Sequence, residues 1–162
     1  MATNNVALDS ATGRLVRSPA LVSSEYTMAT NEDETLVATE RVIGGGVFDG
    51  SAVGSSQTVT FRWIGSITDA GPTALGAVRL YDVGSISTPA APVLIADTDI
   101  DLTTTPADDG VTKVLDLALT LGTPAAGVIS ASPRIYEVRD YITAGGGGET
   151  MKILWAGLVV SG

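Results

Sequence analysis

Gln57–Gly65 reads QTVTFRWIG. Val59, Phe61 and Trp63 alternate with Thr58, Thr60 and Arg62, so an extended chain here has one large apolar face and one polar face. That period of two predicts a half-buried β-strand. The same period recurs on either side of it. GAVRLYDVG places Val78 and Leu80 opposite Arg79 and Tyr81. VTKVLDLALTLG sets Leu115, Leu117, Leu119 and Leu121 on one face, with Asp116 and Thr120 on the other. SPRIYEVRDYIT alternates Tyr136, Val138 and Ile142 against Arg134, Glu137, Arg139 and Tyr141, with one imperfection at Asp140.

Three further segments complete the set. TLVATERVI, Thr35 to Ile43, reads as a strand ending at the turn Gly44–Gly46, and VLIADTDIDLTT, Val93 to Thr104, as another. ETMKILWAGLVV, Glu149 to Val160, is apolar on both faces, with Met151, Ile153 and Trp155 on one and Leu154, Ala156 and Leu158 on the other. Such a strand belongs in the middle of a sheet, with something covering its outer side. GRLVR or EYTMAT supplies a possible eighth strand. The chain has 19 Gly and seven Pro, and segments of eight to twelve residues separate the turn signals. The best helical candidate, EDETLVATERVI, is too rich in β-branched residues. The expected fold is all-β: an eight-stranded jelly-roll-like antiparallel β-sandwich, with a smaller Greek-key sandwich as the alternative.

Residues 1–34 follow another pattern and are expected to form an extended N-terminal arm, with the sandwich occupying 35–162. A DSATG turn, Pro19 and the acidic NEDE run punctuate the arm. Val6, Leu8, Leu15, Val16, Leu21 and Val22 are too many apolar residues to leave in water, so the arm needs a surface to lie on. Arg14 and Arg17 are its candidate partners for acidic groups. Leu8, Arg14, Leu15, Val16, Arg17, Leu21 and Val22 are therefore candidate partner-binding residues. Tyr81 and Tyr141, on the polar faces of their strands, join them.

Composition narrows the chemistry. The 162 residues fit one domain with an appendage. With no Cys and no His, there is no thiolate nucleophile, no zinc–thiolate site and no imidazole base. The formal charge of −9 repels nucleic acid and anionic membranes, so neither is an expected partner. The low charged fraction of 17% suits a surface that meets other protein. No secretory signal is expected from the opening residues MATNNVALDSATGRL.

Asp97, Asp99, Asp101 and Asp108 have nearly the spacing of a calcium loop, but Leu102 stands where the turn glycine belongs. A solvated strand face is the preferred reading. The acid pairs Glu137/Asp140 and Asp82/Asp116 have no spacing that singles them out for glycoside hydrolysis. The Ser-rich stretch 50–56 lacks a strand–turn–helix elbow, and the glycine runs 44–46 and 145–148 lack the lysine and helix of a phosphate cradle. Trp63 and Trp155 are expected in the core. No catalytic residue, metal ligand or cofactor is expected.

VALDSATGRLVR, TVTFRWIGSI, GAVRLYDVG and RIYEVRDYITAGGGGETMKILWAGLVV, in that order, resemble jelly-roll structural proteins of tailed bacteriophages. The likeness is strongest to head-decoration (cement) and head-fibre proteins. It implies a non-enzymatic homotrimer on the capsid surface, synthesised in the host cytoplasm. Its arm would reach neighbouring subunits, the major capsid protein or another virion protein. A receptor- or glycan-binding head domain of a fibre or tail protein is the alternative, using Tyr81, Tyr141 and the loop tips Ala70–Thr73 and Gly145–Gly148.

Overall fold

The computed structural model describes residues 6–8, 15–17, 23–35, 40–144 and 149–162; within the first 39 residues, side-chain environments are described for Glu25 and Met28. Its strands are β1 (Val6–Leu8), β2 (Leu15–Arg17), β3 (Ser23–Thr35), β4 (Arg41–Asp49), β5 (Thr58–Thr68), β6 (Leu75–Gly84), β7 (Pro89–Asp101), β8 (Lys113–Gly122), β9 (Val128–Ser130), β10 (Pro133–Ala144) and β11 (Thr150–Ser161). The helical content described is two short 3-10 turns, Gly50–Ala52 and Pro106–Asp108.

The eight long strands pair first with last and inward from there. β3 pairs with β11, β4 with β10, β5 with β8 and β6 with β7, all antiparallel. This is one long double ladder. Rolling it up adds the pairs β11–β5 and β10–β6 and yields two sheets, β3-β11-β5-β8-β9 and β4-β10-β6-β7. Apart from the β6–β7 hairpin, each long strand is followed by a long strand of the other sheet. That connectivity is the jelly roll, and it decides against a simpler Greek key. The doubly apolar β11 lies inside its sheet between β3 and β5. The short β9 adds a parallel pairing to the end of β8.

The core lies between the sheets. Val59, Phe61, Trp63 and Ile67 of β5 are buried, facing Leu80, Ile95 and Val138 among others. Phe48 and Tyr136 pack edge to face at 6.4 Å, and the Tyr136 hydroxyl accepts a hydrogen bond from the Ser130 amide. The irregularity at Asp140 is real, and Arg134 shares the phase of Tyr136 instead of opposing it, reaching the buried Asp82. Asp140 and Asp82 both follow the inward alternation and are buried. Arg41 grips Asp140 through Nε at 2.8 Å and Nη2 at 2.7 Å. Arg134 grips Asp82 at 2.7 Å, and the Gly84 amide adds a third donor. Each buried carboxylate is thus charge-matched, as burial demands.

Four expectations change. First, β3 starts at Ser23 and pairs with β11 from Ser23 to Thr35 with three register irregularities, so residues 23–34 form an edge of the sandwich. EYTMAT lies within it, and GRLVR contains β2. Second, Thr35 ends β3 and Arg41 opens β4; residues 36–39 lie outside the described residues. Third, Gly44–Gly46 is the middle of β4 rather than a turn. A Cβ on Gly45 would stand 2.5 Å from the Tyr136 carbonyl oxygen, so close approach to β10 demands glycine there. Fourth, Trp155 faces outward. The register of β11 against β5 shifts between Ile153 and Trp155, and this bulge advances the phase by one residue. Met151, Ile153, Ala156, Leu158 and Val160 then all point into the core. The run Gly145–Gly148 lies outside the described residues.

Gly65 sits opposite the bulge, paired with Ile153. A Cβ there would meet the Lys152 carbonyl oxygen and the Trp63 ring. Gly65→Ala is therefore expected to destabilise the sandwich by about 1–3 kcal/mol, the cost of overpacking a tight core. Urea unfolding should show a lower midpoint with an unchanged slope.

Candidate functional site: the outer faces of the two sheets

Each sheet has an outer face, and β6 and β10 build the first. Both strands carry Arg-x-Tyr, Arg79–Tyr81 and Arg139–Tyr141, and alternation sends all four side chains outward. In the antiparallel register Arg79 is directly opposite Arg139, while Tyr81 and Tyr141 lie on the two diagonals. Like charges facing each other are unfavourable on a sheet. Two features remove the conflict. Each guanidinium stacks on the diagonal ring, Arg79 over Tyr141 at 3.9 Å and Arg139 over Tyr81 at 4.3 Å, in cation–π contact. Glu40, just ahead of β4, puts one carboxylate between both arginines.

Glu40 accepts from Arg79 Nη1 at 2.6 Å, from the Tyr81 hydroxyl at 2.7 Å and from Arg139 Nη1 at 3.4 Å. Glu137 takes a second bond from Arg139, at 2.8 Å, and Asp97 one from Arg79, at 3.0 Å. Partial burial raises the Glu40 pKa, but the hydrogen bonds from Arg79 and Tyr81 outweigh it and hold the carboxyl below its ordinary value. Burial, with the Glu40 carboxylate beside it, pushes the Tyr81 phenol up. The cluster is a closed plaque of two cations, two rings and three carboxylates.

The second outer face belongs to β3-β11-β5-β8. Val114, Ile64 and Trp155 are register partners across β8, β5 and β11, so they form one lateral row. Val114 is 57% exposed, and Leu154, in the bulge, 42%. In the adjoining row Arg62 binds Asp116 through two bonds of 2.7 Å, next to Gly157 of β11. The hydrogen bond from Arg62 holds the Asp116 carboxyl below the usual aspartate range. Glu25, Arg62, Ile64 and Trp155 line a cavity of about 190 Å³ on this face.

The predicted residues divide accordingly. Tyr81 and Tyr141 come together in the plaque. Leu8 of β1 pairs with Leu15 of β2, and Val16 and Arg17 complete that hairpin, a two-stranded sheet separate from the two sandwich sheets. Arg14, Leu21 and Val22 lie outside the described residues. Sequence reasoning missed Glu40, Arg79, Arg139 and Trp155 as site residues. The signal for the arginines was present in the repeated Arg-x-Tyr.

Three of the four calcium-spaced acids, Asp97, Asp101 and Asp108, have structural partners. Asp97 and Asp99 lie on β7, Asp101 accepts from the Thr103 amide and hydroxyl, and Asp108 binds Lys113 at 2.6 Å. Asp69 organises the 70–74 loop by accepting from the amides of Gly71, Thr73 and Ala74. Among the described residues, no group of three or more His, Cys, Asp or Glu side chains is placed to hold a metal ion, and no helix is long and apolar enough to cross a membrane.

The chain is thus an all-β jelly-roll sandwich. No protein-family model and no curated protein matches it. Among solved structures it is similar to a chain in the structure of infectious bursal disease virus Gt strain, at 14% identity and a TM-score of 0.49, covering 96% of this chain and 36% of that one. A chain in the structure of the Gx strain of the same virus gives 13% identity and a TM-score of 0.46, covering 96% of this chain and 35% of that one. The chain therefore spans about a third of the length of each of them.

Glu40 generates a prediction with a definite sign. Its folded pKa lies below the ordinary value, so its contribution to stability is full above the ordinary range and disappears as pH falls through the folded pKa. Glu40→Gln should cost about 1–2 kcal/mol at pH 7, the scale of a charged hydrogen bond. It should also shrink the loss of stability between about pH 5 and pH 3 relative to the parent. Urea midpoints measured across that range provide the check.

Proposed function

We propose that this chain is a non-enzymatic virion structural protein that decorates and stabilises a capsid surface as a homotrimer, anchored through its N-terminal segment. The observation that carries this reading is the β1–β2 hairpin. Its strands are three residues each and pair with one another rather than with either sandwich sheet. A two-stranded ribbon is marginal at best alone in water, and this one is far shorter than most. Its apolar residues Leu8, Leu15 and Val16 need a surface to rest on. A shell protein or a neighbouring copy supplies one, and linking this contact to others on the sandwich multiplies the avidity of attachment.

The plaque supports decoration over the alternative, a glycan-binding fibre head. A sugar platform needs an open aromatic face, and both Tyr81 and Tyr141 already carry a guanidinium on one side. The engagement of Glu137 by Arg139, Asp140 by Arg41, Asp82 by Arg134 and Asp116 by Arg62 similarly speaks against a carboxylate pair poised for hydrolysis.

Deleting residues 1–22 spares β3 and so leaves the sandwich its edge strand. The truncated protein is expected to unfold like the parent but to lose attachment to particles. Immunogold microscopy of particles from the native host, with parent and truncated protein, tests both parts. Regular gold over the heads for the parent and none for the truncation is the expected result. Gold confined to tails, or equal labelling by both proteins, refutes the reading.

A further inference from the structure

The edges of the two sheets are guarded unequally. An open edge strand is a template for another strand, and proteins blunt it with charge, proline, bulges or shortness. β3 carries Glu25, Glu32, Asp33 and Glu34 and breaks register three times. β9 is three residues long, and the part of β8 it leaves uncovered carries Lys113 and Asp116. β7 has Pro89 and Pro92, then Asp97, Asp99 and Asp101. β4 is the exception. It is nine residues long and, among the described residues, pairs with β10 alone. Between Arg41 and Asp49 it reads VIGGGVF, without charge or proline, and its register irregularity lies near its start, at Ile43. Val42 and Val47 stand out from it at 56% and 51% exposure.

Three observations choose the strand that fits this edge. The first is the β1–β2 hairpin, which is already extended and pairs with neither sandwich sheet of its own chain. The second is charge. Arg14 and Arg17 against Asp9 give residues 1–22 a formal +1, which leaves −10 for the rest of a chain that carries −9. The sandwich of a neighbouring copy is thus an acidic surface that attracts this segment, although whole copies repel one another. The third is the glycine run. Gly45 is the register partner of Glu137 on β10, so β4 puts no side chain between that carboxylate and a strand added beyond the edge. Glu40 and Asp49 stand at the two ends of β4. An arginine on the added strand therefore meets an acid at either end of the edge or across its middle.

We propose that the β1–β2 hairpin of one copy adds to the β4 edge of a neighbouring copy and extends its four-stranded sheet by β-augmentation. The hairpin and the edge are different surfaces, so each copy gives one and receives the other. Such a head-to-tail contact closes into a ring when its rotation allows, and three copies then make the trimer of the proposed function. The inference rests on that reading and assigns the surface on which the N-terminal segment lies.

The test uses the full chain, which has no cysteine of its own. One variant carries Val16→Cys with Val47→Cys, and a second carries Val16→Cys with Val42→Cys. On mild oxidation at least one of them should give a disulfide-linked species of three chains on a non-reducing gel. A control with Val16→Cys and Val114→Cys puts the second thiol at a 57% exposed site on the other sheet. It should link more slowly by about tenfold or more, since its thiols are not held together by the contact. Adding Arg14→Glu and Arg17→Glu to the edge pairs should slow their linking by about tenfold, because the segment then repels the acidic sandwich. Circular dichroism confirms that every variant is folded.

Links confined to single chains overturn the proposal, since the hairpin then lies on its own edge. So do edge pairs that both link no faster than the Val114 control, or charge-reversed segments that link as fast as the originals. A ladder of linked chains running beyond three copies supports the exchange and refutes the closed trimer. Immunogold labelling of particles separates this proposal from the functional reading. Protein that exchanges hairpins but labels no particle leaves the exchange standing and refutes decoration. Labelled particles with edge pairs that fail to link refute the exchange and leave decoration standing, with the hairpin resting on a shell protein.

Discussion

The structure depends on β11 finding two partners far away in sequence. It is hydrogen-bonded to β3 on one side and to β5 on the other, joining the last long strand to the first and third. The pairs β4–β10, β5–β8 and β6–β7 nest inside that closure. Only β6–β7 is a local hairpin, so most of the ladder pays loop-closure entropy before it gains a contact. Folding should accordingly be slow, as in other all-β domains dominated by non-local pairing. The same closure explains why β11 cannot alternate simply. Its inward residues must meet β5 from Thr58 to Thr68, and the bulge after Ile153 keeps the apolar phase pointing inward along the whole length.

Register in the other sheet is pinned by charge as well as by apolar side chains. Asp82 and Asp140 lie on the inward face of β6 and β10, and each meets an arginine from a different strand or strand position. A buried ion pair adds little net stability, because desolvation consumes most of the attraction. Its effect is on the alternatives. Sliding β10 by one residue would turn Arg134 and Asp140 outward together and leave Asp82 buried without a cation. We regard these pairs as fixing one register among several that hydrophobicity alone would allow.

Fold class was readable because alternation at Val59–Trp63, Val78–Leu80 and Leu115–Leu119 is a local property, and the structure keeps those faces. What the sequence hid depends on contacts between distant segments. The bulge at Leu154 is invisible in a strand apolar on both faces, since either phase buries something greasy; Trp155 was misplaced for that reason. Gly44–Gly46 looked like punctuation because the need for glycine arises from the carbonyl of Tyr136, some 90 residues away. Glu40 carries no motif at all. Its role appears only once β6 and β10 are aligned and two arginines face each other across the ladder. Arg-x-Tyr on both strands was the legible trace, and it needed the register to become a site.

The outer face of β6 and β10 shows why composition alone is a poor guide to where a partner would bind. Arginine and tyrosine are the residues that interfaces favour, and by that measure the Arg79–Tyr81–Arg139–Tyr141 plaque is the natural choice. Yet its guanidinium groups are already stacked and paired, and Glu40 is held by three donors. A partner there must replace bonds the sheet makes with itself, so its gain is the small difference between old and new contacts. The plaque therefore works as a clasp across the strands of one sheet.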